Sequence, residues 1–140
     1  GHQDHPGTGT TLMGEPTVKL DFLKLAESMG IRDARRVNAY DVSAVRQAIK
    51  EAVESPEPSF LLMEGKCVLL DRGRWGPALV VNQDECVACG LCLRLGCPAL
   101  SKAENGKTTI NPIFCVGSLC SMCAQVCPKK CISAPAAPKS

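Results

Sequence analysis

Ten cysteines in 140 residues, nine of them between Cys86 and Cys131, are the side chains here best suited to chemistry. They fall into two runs, Cys86-x2-Cys89-x2-Cys92-x4-Cys97-Pro98 and Cys115-x4-Cys120-x2-Cys123-x3-Cys127-Pro128. Paired C-x2-C knuckles alone would suit a tetrahedral four-cysteine zinc site. Three thiolates at short spacing followed by Cys-Pro fit an iron–sulfur cubane better. Such a loop wraps three corners of one cluster, and the following Cys-Pro points away toward another iron.

The two runs are imperfect copies. VVNQDEC ending at Cys86 aligns with TINPIFC ending at Cys115, so Asn82 matches Asn111. Cys120, Cys123 and Cys127 then match Cys89, Cys92 and Cys97. The second run gains two residues after its first Cys, and the first run gains one before its fourth. The pattern is similar to that of bacterial ferredoxins, in which the fourth Cys of each run ligates the other cluster. The resemblance implies two [4Fe–4S] clusters. Cluster 1 takes Cys86, Cys89, Cys92 and Cys127; cluster 2 takes Cys115, Cys120, Cys123 and Cys97. The repeat favours Cys115 as a ligand, with Cys131 a spare thiol able to replace it. Cys67, in an apolar run, reads as a core thiol. Glycine-containing loops such as Ala88-Cys89-Gly90 offer backbone N–H groups to the cluster sulfurs. With no acid–base dyad or nucleophile motif nearby, this region is expected to move electrons singly.

The elements that must carry these residues divide into two regions. Residues 1 to about 18 read as a loop rich in Gly, Thr, Pro and His. VKLDFLKLAESMGI sets Leu20, Leu23, Leu25, Ala26 and Met29 at helical spacing and stops at Gly30. ARRVNAY is a strand candidate. Asp41 is an N-cap for VSAVRQAIKEAVE, which puts Val42, Val45, Ile49 and Val53 on one face. Pro56 and Pro58 end that helix, and SFLLMEG and CVLL read as strands. Strands alternating with helices indicate parallel α/β architecture, here too small to stand alone. The expected fold is α+β overall: part of an α/β domain at 1–70, a connector at 71–79, a two-cluster ferredoxin-like domain at 80–133 and a disordered tail at 134–140. Trp75 reads as a hydrophobic plug in the connector.

Composition narrows the function. A formal charge of +2 with scattered basic residues does not suggest nucleic-acid binding. No apolar run reaches the roughly 20 residues that cross a bilayer, and GHQDHPGTGTT has no apolar signal segment. Clustered cysteines without a secretory signal point to a reducing cytoplasmic compartment and metal binding. Gly1 in place of an initiator methionine suggests a fragment or a processed chain.

GHQDHPGTG, LDFLKLAESMGI and DVSAVRQAIKEAVESPEPSFLLMEGKCVLL together resemble the thiamine-diphosphate-binding domain of 2-oxoacid:ferredoxin oxidoreductases. Within that group the sequence is most similar to the indolepyruvate:ferredoxin oxidoreductase α-subunit family, where a two-cluster ferredoxin domain follows directly. The resemblance implies oxidative decarboxylation of an arylpyruvate with coenzyme A, giving an aryl-acetyl-CoA, CO2 and reduced external ferredoxin. It implies thiamine diphosphate and Mg2+ as cofactors, and the remainder of the α subunit and a β subunit as partners. In the family the diphosphate and Mg2+ are held by a GDG-like motif and an Asn segment. Neither occurs in this sequence, so the chain alone is not expected to bind thiamine diphosphate well. His2 and Gln3, with His5 nearby, are the candidate active-site residues. The alternatives are a stand-alone electron carrier and a related oxidoreductase acting on pyruvate or a branched-chain 2-oxoacid.

Overall fold

The computed structural model describes residues 3–71 and 73–136. The chain forms two compact units, Gly1–Leu70 and Asp71–Ser140.

In the first unit, helix α1 (Phe22–Ser28) is followed by strand β1 (Asp33–Asn38), helix α2 (Val42–Glu54) and strand β2 (Ser59–Glu64). β1 and β2 pair in parallel from Asp33↔Ser59 to Asn38↔Glu64, with α2 as the crossover and both helices packed on the strands. This is the expected α/β arrangement. Asp21 caps α1, accepting from Leu23 and Lys24 N–H at 3.1 and 3.3 Å. The helix therefore starts later than the apolar spacing suggested, and Leu20 lies outside it. Asp41 caps α2 as expected, accepting from Ala44 N–H at 2.9 Å.

The buried face of α2 differs from the expected one. Ala48 is buried and Ala44, Val45 and Ala52 are partly covered, whereas Ile49 and Val53 face solvent. Small residues let the helix lie close on the two strands, so the covered stripe is set by alanines. CVLL is also not a strand. Leu70 N–H bonds to Cys67 C=O at 3.0 Å, and Val68–Asp71 form a 3₁₀ turn with Cys67 half-buried. A short apolar run has no intrinsic period, and the local i→i+3 bond decides its form.

The second unit holds two small antiparallel ladders. β3 (Val80–Val81) pairs with β6 (Ile132–Ser133), and β4 (Leu100–Lys102) pairs with β5 (Thr108–Ile110). The short helix α3 (Met122–Val126) and 3₁₀ turns at Leu93–Leu95 and Gly117–Leu119 lie between them. The core of this unit is Leu79, Cys92, Cys131 and Ile132, with Val81, Leu93, Leu100 and Ile110 around it. Two of its four buried members are cysteines. A core this small is typical of units that lean on a metal for stability.

Candidate metal centres

The sequence repeat is a structural repeat. Asn82 Oδ1 accepts from Asp84 N–H at 3.0 Å, and Asn111 Oδ1 accepts from Ile113 N–H at 2.9 Å, making the same Asx turn before each run. Asn82 N–H donates to Cys131 C=O and Asn111 N–H to Ala99 C=O, both at 2.7 Å. The ladder pairs Val81↔Ile132 and Leu100↔Ile110 continue the correspondence. Between the second and third Cys of each run the chain turns left-handed, at Gly90 (φ +69°) and at Ser121 (φ +50°). This turn lets both flanking thiols point to one side.

The first group comes together around a pocket with about 330 Å³ of atom-free space, counting its open mouth. Cys86, Cys89, Cys92, Cys127 and Cys131 all line it. Cys127 is thus brought from the second run to the three leading cysteines of the first. The backbone N–H groups of Thr108 and Ala88 favour the Cys86 thiolate and lower its pKa, with Lys107 adding positive charge. Burial opposes ionisation of Cys127, but the Cys131 N–H and thiol and the Lys129 and Lys130 N–H groups outweigh it and lower its pKa. Cys131, 4% exposed, is pushed up to about 12 by burial and by its hydrogen bond with Cys127.

Cys97, Cys115, Cys120 and Cys123 form a second group. Burial raises Cys123 to about 11, and Cys115, Cys120 and Cys97 add to the rise as neighbouring thiols. Gly117 N–H donates to Cys115 Sγ at 3.4 Å. Cys127 thus lines the first pocket with the leading cysteines of the first run, and Cys97 bears on Cys123 of the second run. Cys131 stands beside Cys127 and Cys86, not among the thiols that bear on Cys123. Among the described residues, no group of three or more His, Cys, Asp or Glu side chains is arranged to hold a single metal ion.

Thr108 escaped the reading of the sequence. It is 2% exposed, and its Oγ1 lies 3.2 Å from Cys92 Sγ. A lone threonine in a short strand gives no signal in sequence; it is found only because β5 lies over the pocket. In the first unit, Gln3 is exposed and His2 lies outside the described residues. His5 Nδ1 accepts from Gly7 N–H at 3.1 Å, which fixes the turn of the loop. The 137–140 part of the expected disordered tail is also outside the described residues. No helix among the described residues is long and apolar enough to cross a membrane.

The parallel β-α-β unit falls in a segment that matches a known family. Residues 1–63 match the family of thiamine pyrophosphate enzymes, C-terminal TPP binding domain. More particularly, the chain is 34% identical over 136 residues to the indolepyruvate oxidoreductase subunit IorA of Pyrococcus horikoshii, covering 91% of this chain and 20% of that protein. The protein of the same name from Methanothermobacter thermautotrophicus is 29% identical over 129 residues, with 91% and 20% covered. That of Archaeoglobus fulgidus is 28% identical over 137 residues, with 94% and 22% covered. The chain spans about a fifth of the length of the curated relatives it matches. These similarities bear out the resemblance drawn from the GHQDHPGTG loop and the helices after it.

Proposed function

We propose that this chain is the electron-exit portion of an indolepyruvate-type 2-oxoacid:ferredoxin oxidoreductase, with a ferredoxin-like second unit holding two [4Fe–4S] clusters. The observation that carries the reading is the crossed gathering of Cys127 with Cys86, Cys89 and Cys92, and of Cys97 with Cys115, Cys120 and Cys123. A cubane suits these donors, because its four thiolates bind four different irons and need not converge on one ion. The clusters supply one-electron exchange when bound.

The chain's own residues shape that chemistry. Thr108 Oγ1 is placed to donate to Cys92 Sγ, and the Thr108 and Ala88 N–H groups face Cys86. Hydrogen bonds to ligand sulfurs stabilise the more negative, reduced state. Lys107, held by the Gln83 carbonyl, brings positive charge to the same side. In the first unit, thiamine diphosphate supplies the carbanion chemistry when bound. His2 and Gln3 are proposed to border it from the loop, while the groups that hold its diphosphate and Mg2+ come from the remainder of the α subunit. The substrate is a 2-oxoacid with coenzyme A; the remaining partners are a β subunit and an external ferredoxin, in the cytoplasm.

The test is anaerobic isolation of the native assembly, with iron, sulfide and thiamine diphosphate quantified. About eight irons per chain together with thiamine diphosphate are expected. About eight irons with no thiamine diphosphate anywhere in the complex would leave only an electron carrier. Zinc at roughly one ion per four cysteines would remove the relay as well.

A further inference from the structure

The first pocket holds five thiols, one more than a cubane uses. Cys131 Sγ lies 3.4 Å from Cys127 Sγ, and Cys131 also hydrogen-bonds with Cys86. The internal repeat makes this fifth thiol conspicuous. Asn82 N–H bonds to Cys131 C=O just as Asn111 N–H bonds to Ala99 C=O, so Cys131 is the counterpart of Ala99. Both positions are buried, at 4% and 2% exposure, and precede equivalent ladder residues, Ile132 and Leu100. The repeat therefore asks for a small side chain here, and alanine meets that demand in the other copy. The chain reaches Cys131 through Lys130, a non-glycine residue at φ +52°. A bulky residue held left-handed is uncommon and carries strain.

We propose, on the reading of the first group as a [4Fe–4S] site, that Cys131 is a reserve ligand that takes the cluster corner of Cys127. In the exchange one iron–sulfur bond to Cys127 breaks and one to Cys131 forms. The Cys131 proton passes to the departing Cys127 thiolate along the hydrogen bond they already share. No electron is gained or lost, and the charge of the site is unchanged. The short contact means that the exchange needs a small local movement and leaves Cys86, Cys89 and Cys92 in place. The second group has no such reserve, because Ala99 stands at the equivalent position.

The experiment uses the full-length subunit in its native complex, isolated anaerobically as wild type, Cys127→Ala, Cys131→Ala and the double variant. Iron and sulfide per chain are the readout. Cys131→Ala copies the residue of the other repeat and should keep about eight irons, as should Cys127→Ala. The double variant should fall to about four, those of the second group. Any loss of iron in Cys127→Ala would overturn the proposal, and so would loss in Cys131→Ala alone, which would make Cys131 the resident ligand. Fewer than eight irons in the wild type would instead count against the two-cluster reading itself.

Discussion

At the scale of single residues, the most consequential contact is the one between Thr108 and Cys92. Thr108 Oγ1 is buried and 3.2 Å from the sulfur, so its hydroxyl has no competing water. Replacing it with valine keeps the shape and removes the donor. A net hydrogen bond of about 1 kcal/mol corresponds to roughly 40 mV for a one-electron couple. Thr108→Val is expected to lower the potential of the cluster proposed for the first group by that order and leave the other proposed cluster unchanged, read by a redox titration followed by electron paramagnetic resonance. An unshifted potential would mean that the hydroxyl does not donate to the ligand sulfur. Ser121 gives a second prediction of the opposite kind. It sits at φ +50° where the other repeat has Gly90; its Oγ donates to Ser118 C=O at 3.2 Å, an exposed bond that offsets less than the left-handed strain costs. Ser121→Gly should stabilise the unit by a few tenths to about 1 kcal/mol, measured as a shift in the denaturation midpoint of the cluster-loaded chain.

At the scale of elements, Gly117 decides whether the enlarged loop of the second run can close. A Cβ there would stand 2.5 Å from Pro77 C=O oxygen and 2.9 Å from that of Gly76, both backbone atoms, and the residue is at φ +62°. Gly117→Ala must therefore move the loop that carries Cys115. The expected result is loss of the second group's iron, about four per chain, with the first group's retained. Full retention would show that Cys115 reaches its place without this turn. In the first unit, Arg35 on β1 ties to Glu51 on α2 and to Asp33 at 2.8 Å. The Gln47 side chain and then Arg35 hold the Glu51 carboxyl below its ordinary pKa. A lowered carboxylate stabilises the fold above its unfolded pKa, and that contribution is lost as pH falls through the folded value. Glu51→Gln should thus speed amide exchange across α2 near neutral pH, and the difference from wild type should shrink as pH falls through the carboxylate range and the Glu51 carboxylate is protonated. High salt should shrink it too, since these groups are exposed.

The same elements show what could be read in advance. Asp41 declares its helix because a capping side chain acts over three residues, and such local chemistry is written in the sequence. The crossing proposed for Cys127 and Cys97 rests on similarly local chemistry, since thiol spacing and Cys-Pro constrain direction. The exposed Ile49 and Val53 were not foreseen, because a helical wheel cannot say which apolar stripe the two strands will cover. CVLL was misread since its turn depends on one backbone bond, and Thr108 was missed because its role arises from a contact 16 residues away.

At the scale of the whole molecule, the first unit leaves much apolar surface uncovered. Among the described residues its sheet has two parallel strands, whereas parallel sheets ordinarily have both faces buried. Met29 on the end of α1 is 73% exposed and Val53 on α2 is 80% exposed, with Leu12, Met13 and Val18 also open. Scattered apolar residues are ordinary, but this many around so small a sheet fit a surface made to be covered. The chain spans about a fifth of the length of the relatives it matches, and on the function proposed above the covering is the rest of an IorA-type subunit. If that proposal holds, the isolated 140-residue chain self-associates, and co-expression with the proposed remainder of an IorA-type subunit brings it into a soluble complex. Met29→Lys with Val53→Lys should raise the soluble monomeric fraction of the isolated chain and lower its recovery in the complex, both read by sedimentation. The pairing of those two effects is the discriminating result. If charge improved solubility and left assembly intact, these residues would be ordinary surface; a wild-type chain already monomeric at high concentration would remove the need for a covering partner.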